Sequence, residues 1–283
     1  MHKPFKWKTV ETGFRYFSLI LIGIVMVYPL FWMISASFKT NNEIFSSINL
    51  IPKVIMYNGY ADGWKGSGQF SFGHFFLNTF ILVVPTVLLT VISSMLVAYG
   101  FARFRVRGKK VLFSLVIASL MLPNEVVIIP RYMLFNSLGW LNSYLPFIVP
   151  AAFATYSFFI FMLVQYIRSI PRELDESAFL DGCSSFRILW SIILPLTKPA
   201  IISVIIFQFV WRWNDFLNAL IYISSVRIYP VSLALRMSLD VTDTISWNQT
   251  MAMSVVSMLP PVLLFFLAQK YFVEGISTTG LKG

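Results

Sequence analysis

Charge and cysteine are both scarce in this 283-residue sequence, and their scarcity narrows the class of protein. Only 12% of the residues are Asp, Glu, Lys or Arg, about half the share in an ordinary soluble domain, while 57% are hydrophobic. A soluble core of this size cannot remove so much apolar side chain from water. The one cysteine, Cys183, excludes an internal disulfide bond. The composition therefore indicates a chain whose solvent is largely lipid.

Signatures of catalysis and nucleotide binding are also missing. No Gly-x-x-x-x-Gly-Lys-Ser/Thr segment occurs, so the phosphate-binding loop of ATPases is not present. The sequence has no nucleophile elbow, and its two histidines, His2 and His74, are isolated and lack metal-ligand spacing. We therefore predict no catalytic residue, no metal site and no cofactor-binding residue on this chain, which we expect not to be an enzyme.

Long apolar runs fill most of the sequence. They lie at about residues 14–38, 75–101, 111–130, 144–166, 199–224 and 251–272. A helix of about 20 apolar residues spans the hydrocarbon core of a bilayer, and these runs are too long for barrel strands. Backbone groups in lipid must be hydrogen-bonded internally, which favours helices. The sequence predicts an all-α integral membrane protein with a six-helix domain over residues 14–272.

The distribution of cations predicts the orientation of the helices. The first run is longer than the apolar part of a signal peptide, so we expect it to be a retained helix preceded by a cytoplasmic N-terminus at residues 1–13. Fifteen Lys and Arg residues fall on the side of both termini and six on the other side, with Arg212 inside a run. Cytoplasmic loops carry the excess of cations, so both termini, including the tail at 273–283, are expected in the cytoplasm. The net charge of +10 reflects this topology and not a nucleic-acid partner.

The loop at residues 167–198 is the most informative polar segment. Pro171 suits a first helical position, and acidic residues follow it in the first turns, where the helix dipole favours them. Gly182 can take a positive φ and end this helix, and Ser184 or Ser185 can cap a second one that runs toward Pro195. Anionic lipid headgroups would repel the acidic helix, so we expect it to face a cytoplasmic protein.

The spacing within this loop resembles the EAA motif of the permeases of bacterial ATP-binding-cassette (ABC) importers. Glu176-Ser177-Ala178 is followed after three residues by Gly182, and after nine more by Ile192-Ile193-Leu194-Pro195. The one departure in the signature is Ser177 where alanine is usual. We call residues 167–198 the EAA loop.

Three further segments are similar to the carbohydrate-import subgroup, and to its maltose-type second membrane subunit. They are Phe76-Leu77-Asn78-Thr79, Ala98-Tyr99-Gly100-Phe101-Ala102-Arg103-Phe104 and Trp213-Asn214-Asp215-Phe216. The tail from Glu274 also resembles that subgroup. The resemblance implies the type I transmembrane domain of an ABC importer in a bacterial cell membrane. Its substrate would be a sugar, an oligosaccharide or a related solute.

The same resemblance implies the partners of the chain. They are a second homologous permease, two cytoplasmic ATPases that hold ATP and Mg²⁺, and an external solute-binding protein that contacts the first outer loop and the segment near Ser225 to Trp247. The EAA loop would dock into a cleft of the ATPase. Glu176 would pair with a base there, Ala178 and Gly182 would allow close approach, and Phe179 and Leu180 would fill the cleft. The residues implied in this docking are Glu173, Glu176, Ser177, Ala178, Phe179, Leu180, Asp181, Gly182, Ile192, Leu194 and Pro195.

A second set of polar residues lies within or beside the apolar runs and is a candidate lining of the transport pathway. Arg212 and Asp215 are three residues apart and so share a helix face, where they either form a structural pair or face the pathway. Glu125 is either a solvated helix end or a group at the pathway mouth. The full set is Asn78, Glu125, Arg212, Asn214, Asp215 and Asn218.

Three other functions compete with a carbohydrate permease. One is a permease of an ABC importer for a solute that is not a sugar. Another is a self-contained secondary transporter, a class that often shows internal repeats and discontinuous helices. The third is a scaffold or receptor subunit with no transport role. Six spans with one docking loop favour half of an assembly.

Overall fold

The computed structural model describes residues 7–66, 69–239 and 246–277, with side chains described from residue 11 to residue 270. All secondary-structure elements of these described residues are helices or short helical turns, so the predicted all-α fold class is confirmed. The expected cytoplasmic ends at 1–6 and 278–283, and residues 240–245 of the outer segment, lie outside the described residues. The α-helices are α1 (Trp7–Ala36), α2 (Asn41–Ser46), α3 (Asn58–Lys65), α4 (Phe72–Arg103), α5 (Lys109–Leu120), α6 (Asn124–Ser137), α7 (Leu145–Ala152), α8 (Ser157–Ser169), α9 (Glu173–Leu180), α10 (Ser185–Ile188), α11 (Leu194–Leu196), α12 (Lys198–Trp213), α13 (Leu217–Tyr222), α14 (Val231–Met237) and α15 (Trp247–Ser277).

Four stretches of the described chain are long and apolar enough to cross a bilayer. They are Glu11–Ala36, Phe72–Arg103, Leu145–Ser169 and Trp247–Lys270. Two bent helix pairs, α5 with α6 and α10–α11 with α12, raise the number to six if each pair is one span. The apolar window of the first stretch has no buried residue, as in a helix that faces lipid or another subunit.

The third apolar run is not the continuous helix that its hydropathy predicts. Helix α5 ends at Leu120, and α6 begins at Asn124 after a bend of 105°. Pro123 stands at this break with extended backbone angles (φ −61°, ψ 141°). Proline lacks a backbone N–H and disfavours helical geometry in the residue before it, so the helix cannot pass through this point undisturbed.

The fifth apolar run is interrupted as well. Helix α12 ends at Trp213, and α13 begins only at Leu217. The Asp215 carboxylate accepts hydrogen bonds from the Asn218 backbone N–H (3.2 Å) and side-chain amide (2.8 Å). An acidic side chain that takes up free N–H groups at the start of a helix favours a new start over continuation. Hydropathy alone predicted one span here because the flanking residues are uniformly apolar.

The fold divides into two compact units. The first comprises Met1–Phe72 and Met237–Met258, and the second comprises Gly73–Arg236 and Leu259–Gly283. In the first unit, α3 approaches the start of α15 closely, because a Cβ on Gly63 would lie 3.0 Å from Met253 Cγ. Lys39 is fully buried there and donates a hydrogen bond to the Asn49 carbonyl.

The second unit has two buried clusters, and α4 contributes to both. Leu82 and Val83 of α4 belong to a cluster with Phe147 and Trp213. Farther along α4, Ala98 and Ala102 belong to a second cluster that also holds residues of α8, the EAA loop and α12. Both alanines are fully buried, and small residues four positions apart let neighbouring helices approach closely. The second cluster is the platform on which the EAA loop rests.

Candidate functional site

The EAA loop folds as two short helices, α9 and α10, joined at Gly182. Gly182 has φ +82°, its N–H donates to the Phe179 carbonyl, and the Cys183 N–H donates to the Ala178 carbonyl, both at 3.0 Å. This is the Schellman arrangement, which requires a left-handed residue after the helix. A Cβ on Gly182 would meet no atom within 4 Å, so backbone geometry and not space calls for glycine. The predicted stop at Gly182 is confirmed.

The start of α10 agrees with the sequence prediction, whereas the start of α9 differs from it. The Ser184 hydroxyl accepts from the Arg187 N–H, as predicted for a cap of α10. Helix α9 begins at Glu173 and not at Pro171, because its first turn is closed on the Arg172 carbonyl, which accepts from the N–H groups of residues 175 and 176. The acidic residues still occupy the first turn of α9, where the helix dipole stabilises them.

Helix α9 presents an acidic and apolar surface to its surroundings. Phe179 and Leu180 are 66% and 88% exposed, and Glu176 is exposed as well. Large apolar side chains that stand this far out of a polar loop mark an interaction surface. Ala178 is buried at 7% exposure and packs into the cluster beneath. The other residues implied in docking on this helix, which are Glu173, Ser177 and Asp181, are exposed.

The C-terminal end of α4 holds α9 in place. Arg103 Nε lies 2.6 Å from Asp175 Oδ2, and both side chains are largely buried, at 7% and 18% exposure. Arg103 Nη2 also donates to the Ile170 carbonyl (3.1 Å), and Arg172 Nη2 donates to the Ala102 carbonyl (3.2 Å). These contacts tie Ile170 and Arg172, which lie just before α9, and the first turn of α9 to the end of one long helix.

Burial changes the acidity of Asp175. Loss of solvent raises the pKa of its carboxyl above the ordinary value of 3.8, and this effect outweighs the opposing attraction of Arg103 and Arg172. The nearby Glu176 carboxylate raises the pKa further. The ion pair with Arg103 thus forms at a position that itself disfavours a charged carboxylate.

The last residues of the motif face the interior more than the surface. Ile192 and Leu194 are partly buried against the same cluster as Ala178, and the backbone around them forms a π-helical turn at Leu189–Ile193. Pro195 is exposed, and the 75° bend before α12 follows it at Thr197. These positions therefore place α9 and α10 relative to α12 and do not extend the exposed surface.

The second candidate site is a cavity of about 700 Å³ in the second unit. It lies where α5 and α6 bend, where α7 gives way to α8, and where α12 ends. Its lining includes Arg131, Tyr156, Trp211, Arg212 and Asn218. A concave space of this size with aromatic walls and a few polar groups is typical of a small-molecule site.

Arg212 is ion-paired and also lines this cavity. Its Nη1 donates to Asp215 Oδ2, and its Nη2 donates to the Tyr156 hydroxyl at 2.7 Å. Its Cζ lies 5.2 Å from the centre of the Phe147 ring, within cation–π distance. The two roles left open for Arg212 and Asp215 are thus compatible, because the paired arginine is itself part of the wall.

The remaining pathway candidates are dispersed. Asn218 lines the cavity, whereas Asn78 donates to the carbonyls of Arg227 (2.9 Å) and Tyr229 (3.0 Å) and so holds a loop. Asn214 donates to the carbonyl of residue 210 (2.9 Å), and Glu125 is exposed in the first turn of α6. Neither of these two is part of the cavity wall.

Sequence reasoning missed several residues of both sites. Arg103 was counted only as a cation of a cytoplasmic loop, and Asp175 only as a favourable charge near a helix start. Arg131 and Tyr156 were assigned to no site. One sequence feature pointed to Arg103: it lies in Ala98–Phe104, a segment that contributed to the family resemblance. No local sequence pattern identifies Asp175 as its partner.

Comparison with protein families gives one match over most of the chain. Residues 90–278 match the model of the family described as binding-protein-dependent transport system inner membrane component. The probable ABC transporter permease protein YurM of Bacillus subtilis is 34% identical over 278 residues, covering 98% of this chain and 91% of that protein. The arabinooligosaccharides transport system permease protein AraQ of the same organism is 31% identical, covering 93% of each chain. The trehalose/maltose transport system permease protein MalG of Thermococcus litoralis is 30% identical, covering 93% of this chain and 94% of that protein.

Solved structures share the fold. A chain of a bacterial ABC transporter involved in the import of the acidic polysaccharide alginate superposes with a TM-score of 0.83 at 21% identity, over 96% of this chain and all of that chain. A chain of a bacterial alginate ABC transporter in complex with an alginate pentasaccharide-bound periplasmic protein gives a TM-score of 0.68 at 15% identity, over 93% and 95% of the two chains.

Proposed function

This chain belongs to the family of binding-protein-dependent transport system inner membrane components, and from that premise we propose that it forms one half of the membrane pathway of a carbohydrate importer. The importer is driven by ATP hydrolysed on separate ATPase subunits, which hold ATP and Mg²⁺. A second, homologous permease forms the other half of the pathway. An external solute-binding protein delivers the substrate.

The exposed surface of α9 is the observation that carries this proposal. Phe179 and Leu180 are apolar and stand out from a short, polar loop, with the Glu176 carboxylate beside them. Apolar groups next to a charge suit a protein cleft that has an apolar floor and a basic rim. Because α9 is held by the end of α4, movement of the ATPase would reach the membrane helices through a rigid connection.

The substrate class is supported by the printed names of the relatives. Two of them are named for the transport of arabinooligosaccharides and of trehalose and maltose. The cavity wall suits such solutes, since Trp211 and Tyr156 offer aromatic faces and Arg212 and Asn218 offer polar groups. Of the predicted pathway residues, we assign Arg212 and Asn218 to the solute path, with Asp215 holding Arg212. Asn78, Asn214 and Glu125 remain candidates without a place in the cavity.

The orientation follows from the excess of cations on the side of the EAA loop, the two ends of the chain and residues 102–110. We place both termini and α9 in the cytoplasm. The cavity then lies toward the outer ends of the third, fourth and fifth spans. Solute delivered from outside would reach it before it reaches the cytoplasmic side.

The test is a charge reversal on α9 in the assembled importer. Glu176→Lys is expected to reduce the amount of ATPase that co-purifies with the permeases by tenfold or more and to abolish ATP-dependent uptake into proteoliposomes. Glu11→Lys is the matched control, because Glu11 is also an exposed acid on the side that we place in the cytoplasm but lies on α1. Unchanged uptake by Glu176→Lys would reject the docking role. Uptake driven by an ion gradient through the purified chain alone would reject the whole proposal.

A further inference from the structure

The cavity beside α6 and α12 carries a positive charge that has no ion-pair partner among the described residues. Two guanidinium groups line it, those of Arg131 and Arg212, and no carboxylate of the described residues lines it. The Arg212 charge is balanced by Asp215. The side chains that contact Arg131 are neutral: Asn124 Oδ1 accepts from Arg131 Nη1 at 3.1 Å, and the Tyr222 hydroxyl also interacts with the guanidinium.

A lone cation is costly at this place in the molecule. Charged groups within membrane-spanning regions are usually paired or face an aqueous path, because the surroundings solvate them poorly. A guanidinium has five N–H donors, and the Asn124 amide oxygen and the Tyr222 hydroxyl take up at most two of them without supplying negative charge. Donors of Arg131 therefore remain for a group inside the cavity, and the most favourable such group is an anion.

Other polar atoms of the wall are also unsatisfied. Arg212 Nε and Asn218 Oδ1 are buried and have no hydrogen-bond partner in the described part of the chain. A buried polar atom without a partner has lost its hydrogen bonds to water, so these atoms favour a ligand with both donors and acceptors. The rings of Trp211 and Phe158, which pack together at 5.3 Å, provide apolar surface beside them.

Taken together, these groups fit a ring that is apolar on its faces, has hydroxyls on its edges and carries one negative charge. We propose that the cavity is a subsite for saccharides that bear a carboxylate, and that Arg131 is the residue that selects them. A planar carboxylate can accept two parallel hydrogen bonds from a guanidinium. The inference rests on the proposed function, in which the cavity belongs to the solute path, but the docking of α9 does not depend on it.

The test compares matched sugars on the purified importer with both permeases and the ATPases in nanodiscs. Binding is measured by saturation-transfer NMR with three pairs of probes, each a hexuronate and its parent hexose: glucuronate and glucose, galacturonate and galactose, mannuronate and mannose. We expect at least one hexuronate to bind about tenfold more tightly than its parent hexose, and the preference to shrink at high ionic strength.

Variants identify the residue responsible. Arg131→Gln keeps hydrogen-bonding capacity and removes the charge, and it is expected to abolish the preference while binding of the neutral hexose persists. Arg131→Lys is expected to restore part of the preference. Arg227→Gln is the control, because it removes one exposed cation from a loop outside the cavity and should leave the preference intact.

Each outcome decides the question. Equal binding of acid and parent hexose in all three pairs would overturn the proposal, as would a preference that survives Arg131→Gln or tighter binding of glucose 6-phosphate than of any hexuronate. Absence of binding by every probe would also overturn it. Retention of the ATPases on the same samples, measured by their co-purification, would show in each case that the docking function stands.

Discussion

Gly182 ends helix α9 by adopting a backbone angle that other residues reach only at a cost. Its φ of +82° lies in the left-handed region, where a Cβ costs roughly 1–2 kcal/mol. The space around it is open, so the cost of a substitution comes from the backbone alone.

Gly182→Ala is therefore expected to lower the stability of the EAA loop by about 1 kcal/mol and to weaken ATPase binding several-fold. Gly182→Asn should be milder, since asparagine tolerates this region better. Co-purification of the ATPase measures the effect. Gly108→Ala is the control, because Gly108 also has a positive φ (+79°) and open space around it but lies before α5. An effect of Gly108→Ala equal to that of Gly182→Ala would contradict a role specific to the docking helix.

The raised pKa of Asp175 predicts how the stability of the folded chain changes with pH. Its native pKa is raised above 3.8, chiefly by burial, so the folded chain holds this proton more tightly than the unfolded chain. Its contribution to stability is complete below the unfolded pKa and is lost as the pH rises through the raised native pKa.

Melting temperatures of the wild type and of Asp175→Asn, measured in detergent from pH 4 to pH 7, test this sign. We expect the melting temperature of the wild type, relative to that of Asp175→Asn, to fall as the pH rises through this window. A rise would mean that the attraction of Arg103 exceeds the cost of burial, and the native pKa would then be lowered.

At the level of elements, a largely buried ion pair joins α4 to α9. Removing one member of such a pair leaves the other charge buried without compensation, which typically costs about 3–5 kcal/mol. Replacing both members with apolar residues of similar size is often tolerated. The geometry of Arg103 and Asp175 therefore predicts strong coupling between their substitutions.

Asp175→Leu and Arg103→Met are each expected to destabilise the chain by several kcal/mol, because both side chains are largely buried. The double variant should recover most of that loss, although it still lacks the hydrogen bond from Arg103 to the Ile170 carbonyl. Denaturant-induced unfolding of the four proteins gives the coupling energy. Losses that simply add in the double variant would show that the pair does not hold α9 to α4.

For the whole molecule, the lone Cys183 provides a direct test of orientation. It lies partly exposed in the EAA loop, next to Gly182, on the side we place in the cytoplasm. A membrane-impermeant maleimide should label it in inside-out vesicles and fail to label it in right-side-out vesicles. Bound ATPase should slow the reaction, because Cys183 follows the docking helix directly.

A matched variant calibrates this experiment. Cys183→Ser combined with Lys53→Cys moves the thiol to the exposed segment after α2, which we place outside. This variant should show the opposite labelling pattern. Labelling of Cys183 from the outside would reverse the orientation inferred from the cations.

Features that depend on local composition were predictable from the sequence. Hydropathy identified the all-helical membrane fold, because lipid requires runs of apolar residues whatever their neighbours. The stop at Gly182 and the cap at Ser184 followed from single residues with strong backbone preferences. The spacing of the EAA loop identified the family, and the match over residues 90–278 confirms it.

Features that depend on distant contacts were decided only by the tertiary structure. Arg103 and Asp175 lie on different helices, and no local pattern pairs them, because packing of the loop on the end of α4 brings them together. The breaks at Pro123 and Asp215 lie between apolar flanks that hide them from hydropathy, and residues on both sides of each break line the cavity, together with Arg131. The sequence by itself determined that this chain spans a membrane and carries the EAA loop, since composition decides where a segment is stable and the spacing of the loop is local. The folded arrangement determined which charges pair among the described residues and that Arg131 lines the cavity without an ion-pair partner there, since that depends on distances between residues far apart in the chain.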